Sequence, residues 1–217
     1  MILTTIKDIV KFSFHPSETI ISRDKSCTEL IFLLVLNLIL AMATSMLILV
    51  ILVLFRMPSP FGDMRVSLIP CVAGTLLEEV ICRLPLVRKR WYVAVAGGLV
   101  ATSIYCILGG YHFISLEVIW IKLIVLIIFG TISYIIYQYI RHINYAYYFY
   151  FFALIFGLFH LTNIDVWDFS LAFILVCLCY SISQIMGGII LAYTRMKYGF
   201  LHSCSLHLIH NMIALLN

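Results

Sequence analysis

The sequence predicts an all-α protein: a polytopic membrane helix bundle of about seven transmembrane helices, with its N-terminus inside. Three observations predict it. Of the 217 residues, 64% are hydrophobic and only 11% are charged, whereas a soluble domain carries roughly 25% charged residues. So little charge cannot cover a water-facing surface, and lipid must be the main solvent. Apolar runs of bilayer-crossing length follow one another along most of the chain. The short breaks between these runs carry basic residues in an alternating, one-sided pattern.

Residues 1–29 read as an N-terminal interfacial segment. Ile2, Ile6, Ile9, Val10 and Ser13 share one helical face, with Thr5, Asp8 and Lys11 on others, and Pro16 ends the pattern. This is the signature of a short amphipathic helix lying at the membrane surface. The first apolar run long enough to span starts near Leu30, so no cleavable leader is expected. Residues 30–217 read as one transmembrane domain, with spans expected at 30–55, 66–87, 91–110, 114–140, 145–161, 169–194 and 199–216. Each has roughly 17–27 residues, enough to cross with some tilt.

Pro58 and Pro60 mark the first break, Arg88-Lys89-Arg90 the second, and Gly109-Gly110 the third. Arg141 with Asn144, Asp165 with Asp168, and Arg195 with Lys197 mark the rest. With the N-terminus inside, Lys7, Lys11, Arg23, Lys25, Arg88, Lys89, Arg90, Arg141, Arg195 and Lys197 all fall inside, against Arg56 and Arg65 outside. This asymmetry favours an odd number of crossings.

The remaining composition narrows the function. No basic patch with interleaved aromatics suggests nucleic acid. Seven cysteines are present, but no CxxC pair, and nearly all lie in apolar runs. They read as small buried hydrophobes rather than a disulfide framework or thiolate metal site.

Ionisable groups inside spans carry the chemical information, because each costs about 2.5–3.5 kcal/mol at mid-membrane on an insertion scale. The second span contains Glu78, Glu79 and Arg83, which could cost on the order of 8–10 kcal/mol if unpaired. Glu79 and Arg83 are i,i+4 neighbours that can neutralise one another. Glu78 is turned about 100° away and is free to face a cavity. His160 ends the fifth span, a short and aromatic one. In the seventh span His207 and Asn211 share a face, with His210 slightly off it. A structural reading, interhelical hydrogen bonding, suits His210 better than the His–Asn pair. By residue counting, Glu78 and His207 fall near mid-span and His160 nearer the outer end, which argues against all three converging.

A desolvated carboxylate is a competent general base near neutral pH. Held by a histidine, it can take a proton from water and direct hydroxide at a carbonyl. A second histidine and an asparagine amide can stabilise the oxyanion that develops. The same residue types suit a zinc site of two histidines and a glutamate with an open, water-carrying position. HExxH is absent, and spacing alone leaves both chemistries open.

These residues fall into three separated motifs: EExxxR (Glu78, Glu79, Arg83), FxxxH (Phe156, His160) and HxxxN (His207, Asn211). In order and spread they resemble the CPBP family of intramembrane proteases, the CAAX-processing endopeptidases and bacteriocin-processing or bacteriocin-immunity proteins. The resemblance covers roughly residues 66–217. It implies a multi-pass helical fold with an active site in a cavity within the bilayer. By motif, Glu78 and His160 are the water-activating pair, His207 and Asn211 stabilise the oxyanion, and Glu79, Arg83 and Phe156 support them. The resemblance favours a metal-free mechanism that needs no cofactor. A metalloprotease version would place Zn²⁺ on Glu78, His160 and His207.

The implied partners are membrane lipid and a peptide or protein substrate, lipidated or not, with no nucleic acid. The expected location is an integral, multi-pass one, in the plasma or inner membrane if the source is bacterial. Two other classes compete. A non-proteolytic immunity or scaffold protein would keep the motifs and bind a peptide or protein partner. A proton-coupled transporter would use buried Glu and His as a relay, but the paired halves typical of transporters are not visible in the sequence.

Overall fold

In a computed structural model of the chain, residues 2–18, 26–61, 68–113, 115–168 and 170–215 are described. They form eight α-helices: α1 (Ile2–Phe14), α2 (Cys27–Phe55), α3 (Leu68–Cys82), α4 (Arg90–Gly109), α5 (Ile119–Ile140), α6 (Tyr145–Phe159), α7 (Leu171–Tyr198) and α8 (Phe200–Leu215). Short 3₁₀ turns follow α3 (Leu84–Leu86) and α6 (His160–Asn163). Among the described residues there is no strand, only an isolated antiparallel bridge between Phe61 and Ile164.

Five helical segments are long and apolar enough to cross a membrane: α2, α4, α5, α6 extended to Asn163, and α7. The other two expected spans are shorter. α3 has 15 residues and α8 has 16, about 22–24 Å at ~1.5 Å per residue, against a hydrocarbon core about 30 Å thick. The expected span 66–87 stops being α-helical at Cys82, because Pro85 supplies no N–H and cannot continue the ladder. Val66 and Ser67 lie outside the described residues, as do Arg23, Lys25 and Arg65.

The span expected at 114–140 becomes regular only at Ile119, after Val118 adopts a left-handed conformation (φ 48°). The span expected at 169–194 runs on to Tyr198. Arg195 and Lys197 do not break it, because each has a partner: Arg195 Nε donates to the Arg83 carbonyl (3.3 Å), and Lys197 Nζ donates to Glu29 (2.7 and 2.8 Å). Their charge also suits the C-terminal end of the helix dipole. Gly199, at φ 105°, then breaks the chain between α7 and α8.

α1 forms, but with a different face from the one expected. Thr5, Ile9 and Phe12 are buried, while Ile2, Ile6 and Val10 are exposed. The Phe12 ring packs edge-on against Phe149 of α6 and Tyr193 of α7. Residues 27–29, at the end of the segment expected at 1–29, are part of the helix α2. Glu29 belongs to α2, where its buried carboxylate also accepts from Tyr193 (3.1 Å) and Tyr198 (2.7 Å). Cys27 is exposed, against the expectation for cysteines, and Cys82, Cys106 and Cys204 are buried.

The core lies where α2, α3, α6, α7 and α8 meet, around Leu33, Ile81, Phe149, Phe156, Leu191 and Tyr193. α4 and α5 form a hairpin to one side. Lys122 is the buried residue of α5, where it donates to the carbonyls of His112 (2.8 Å) and Ser115 (2.9 Å). Three tyrosine hydroxyls pin the crossing after α3: Tyr148 on Pro85 O (2.8 Å), Tyr145 on Leu86 O (3.2 Å) and Tyr137 on Arg88 O (2.7 Å).

Candidate functional site

The two short helices each carry a stripe of polar groups, and these stripes face one another. On α3, Thr75 and Glu79 stand one turn apart and Arg83 follows one turn later. On α8, Ser203, His207 and Asn211 repeat at the same interval. The two stripes interlock. Ser203 Oγ donates to Glu79 Oε2 (2.6 Å), His207 Nδ1 meets Glu79 Oε1 (2.9 Å), and Asn211 Nδ2 donates to Thr75 Oγ1 (2.9 Å). Thr75 in turn donates to the Cys71 carbonyl (2.8 Å).

Glu79 is fully buried. Arg83, nearly as buried, sets its Nε 3.5 Å from Glu79 Oε1 and its guanidinium 3.9 Å over the Phe156 ring. The expected Glu79–Arg83 pair is therefore present. The closer partners of Glu79, however, are Ser203 and His207.

Phe156 of α6 stands between the basic groups. Its ring lies edge-on to His160 (4.6 Å) and His207 (5.7 Å). Gly188 of α7 makes room for this stack: a Cβ there would come within 2.8 Å of the Phe156 ring and 3.2 Å of Arg83 Nη2.

Glu78 points elsewhere, with its side chain about one-third exposed (32%). Its Oε2 lies 3.6 Å from His207 Nε2 and 4.0 Å from His160 Nε2, and it has no hydrogen-bond partner among the described residues. His160 reaches this point because α6 tightens into a 3₁₀ turn at that residue. The depth mismatch inferred from residue counting therefore does not keep His160 from the other two.

The Nδ1 of His160 is 2.8 Å from the Phe156 carbonyl. A carbonyl only accepts, so this nitrogen carries a proton, and in the neutral ring Nε2 is left as an acceptor facing Glu78. His207 is held differently, by a carboxylate on Nδ1. His210 is half-buried, and its Nδ1 has no partner among the described residues.

Glu78, Glu79, Arg83, Phe156, His160 and His207 thus form one connected cluster. Asn211 joins it through Thr75 rather than by direct bonding to the glutamates. Sequence reasoning missed Thr75, Ser203, Gly188 and Tyr180. The first two were detectable, since each lies exactly one turn before a residue already singled out. Tyr180, whose ring is 6.4 Å from His160 and whose hydroxyl accepts from Asn163 (3.1 Å), belongs to an otherwise apolar run and carries no such signal.

A carboxylate oxygen and two imidazole nitrogens are donor types that suit zinc. As the side chains stand, no group of three His, Cys, Asp or Glu among the described residues is arranged to hold an ion. No family model, curated protein or solved structure matches the chain.

Proposed function

We propose that this chain is a multi-pass intramembrane endopeptidase that works like the CAAX-processing members of the CPBP group. One observation carries the reading: Glu78, His160 and His207, from three helices far apart in sequence, bring one carboxylate oxygen and two imidazole Nε2 atoms within 4.0 Å. A lipid-embedded protein gains no stability from an incompletely bonded carboxylate beside two histidines, and intramembrane ionisable groups mark functional sites by default.

In this reading Glu78 Oε2 and His160 Nε2 are two acceptors facing across a gap that a water molecule bridges by donating to both. As the water oxygen attacks the substrate carbonyl, Glu78 takes its proton. The oxyanion accepts from Nε2–H of His207, whose ring stands between the Glu79 and Glu78 carboxylates. Asn211 has a second N–H beyond the one given to Thr75 and supplies a further donor. Glu78 returns its proton to the leaving amine as the C–N bond breaks. Glu79, Ser203 and Arg83 act through His207, by fixing its ring, and are positioning residues. In a zinc-dependent version Glu78, His160 and His207 would hold the ion, which would supply a Lewis acid.

Seven crossings with the N-terminus inside belong to the same proposal. In support, Arg88 bonds to the carbonyls of Arg141 and Ile143, and Arg195 to that of Arg83, gathering basic residues at one end of the bundle. The loops of Pro60 and Asp165 meet at the His160 end.

The test is cleavage by the full chain in proteoliposomes, using a prenylated CAAX peptide and an unmodified peptide library. Glu78→Gln and His160→Ala are expected to lower turnover at least ~100-fold, the usual scale of general-base loss. Activity in a zinc chelator is expected to be retained; loss with recovery on Zn²⁺ add-back establishes the metal version. Unchanged cleavage by Glu78→Gln removes the base assigned here. If the wild-type chain cleaves neither probe while wild type and Glu78→Gln bind a peptide equally, the chain is a binding or immunity protein.

A further inference from the structure

The approach to α4 (from Arg90), the end of α5 (Ile140) and the turn before α6 (from Tyr145) meet at one corner of the bundle, where Arg88 donates to the carbonyls of Arg141 and Ile143 and Tyr137 donates to that of Arg88. From that corner a groove of about 460 Å³ runs between the helices, a volume within the ~300–1,000 Å³ range of ligand sites. Val93, Gly97 and Val100 line it along α4, Phe151 along α6, and Ile140 and Ile143 at the corner itself. Val93 to Val100 is about 10 Å of helix, so the groove reaches well into the depth of one leaflet.

The mouth is basic. Lys89 is the residue before α4, one turn below Val93, and is exposed. Arg141 and His142 stand between the two isoleucines at the corner and are also exposed. Arg88 is paired with Glu18. Lys89 and Arg141 have no carboxylate partner among the described residues, and no Asp or Glu occurs between Glu79 and Glu117 or between Lys122 and Asn163 in the sequence.

We propose that this groove binds one anionic phospholipid, with an acyl chain between α4, α5 and α6 and the phosphate on Lys89 and Arg141. Charge complementarity selects this occupant. A zwitterionic lipid would fill the groove equally well but would leave both cations unmatched, and basic pockets between membrane helices are known to take anionic headgroups. The inference does not depend on the peptidase reading.

Native mass spectrometry of the detergent-solubilised full chain, titrated with phosphatidylglycerol and with phosphatidylcholine, tests it. Saturable binding of one phosphatidylglycerol is expected, with phosphatidylcholine clearly weaker. Lys89→Gln with Arg141→Gln should weaken phosphatidylglycerol roughly 30-fold, about fivefold per basic residue near the surface. Both positions are exposed, so this variant should fold. Val100→Trp, which fills the groove without changing charge, should remove binding. Lys7→Gln should leave it unchanged, and glycerol 3-phosphate should not compete. Equal binding of the two lipids, full binding by the Gln variant or by Val100→Trp, an equal loss with Lys7→Gln, or competition by glycerol 3-phosphate would overturn the proposal.

Discussion

Two glutamates adjacent in sequence occupy opposite surroundings. Glu79 has partners on both oxygens, Ser203 on one and His207 with Arg83 on the other, and no exposed surface. Glu78 has an oxygen without a hydrogen bond and a side chain partly open. This predicts a division of roles. Glu79→Ala leaves Arg83 and His207 buried without their counter-charge and should destabilise by about 3–5 kcal/mol. Glu78→Gln removes no hydrogen bond and should shift stability by less than about 0.5–1 kcal/mol. Thermal melting of both variants in detergent checks this, and equal losses would mean that Glu78 is a structural residue. Ser203→Ala removes one bond to a charged acceptor, worth about 1.5–3 kcal/mol. Its melting temperature should fall between those of the other two variants.

At the scale of the elements, the cluster depends on how closely α7 approaches α6 and α3. Gly188 is the contact point, and any larger side chain must move Phe156 or Arg83. Gly188→Val should cost about 1–3 kcal/mol by overpacking and should lower peptide cleavage more than substrate binding, because Phe156 orients both histidines. A kcat and KM comparison with the parent checks it; a variant with parental kcat would show that the Phe156 stack is dispensable.

Helix boundaries were readable where the breaking residue acts locally. α2 ends at Phe55, as expected, and α4 starts at Arg90, just before the expected 91. They were not readable where a distant partner decides. Arg195 and Lys197 look like a break until Arg83 O and Glu29 are seen to receive them, and those partners lie over 100 residues away in sequence.

At the scale of the molecule, topology separates two ends. Arg88, Arg141, Arg195 and the Glu29–Lys197 pair gather at one end, and the Pro60 and Asp165 loops at the other. Cysteines placed one at a time by His142→Cys and Val166→Cys, in a background whose seven native cysteines are changed to Ser or Ala, should react with a membrane-impermeant reagent from opposite faces of right-side-out vesicles. Val166→Cys should label from outside and His142→Cys only after the membrane is opened. Labelling of both from one face would remove the seven-crossing arrangement, in which these loops are separated by the odd-numbered span formed by α6.

The helical class, the apolar spans and the residues that carry charge into them were set by composition and periodicity, because burying backbone and charge in lipid has few solutions and each leaves a local mark. What only the tertiary structure decided was where His160 lies in depth, that it meets Glu78 and His207, and that the enclosed Glu79 bonds to His207 and Ser203 as well as to the Arg83 with which its spacing pairs it. Those follow from the rotation and register of α3 against α8 and from the 3₁₀ tightening at the end of α6. The register is set by packing between segments more than 100 residues apart, which no local pattern records.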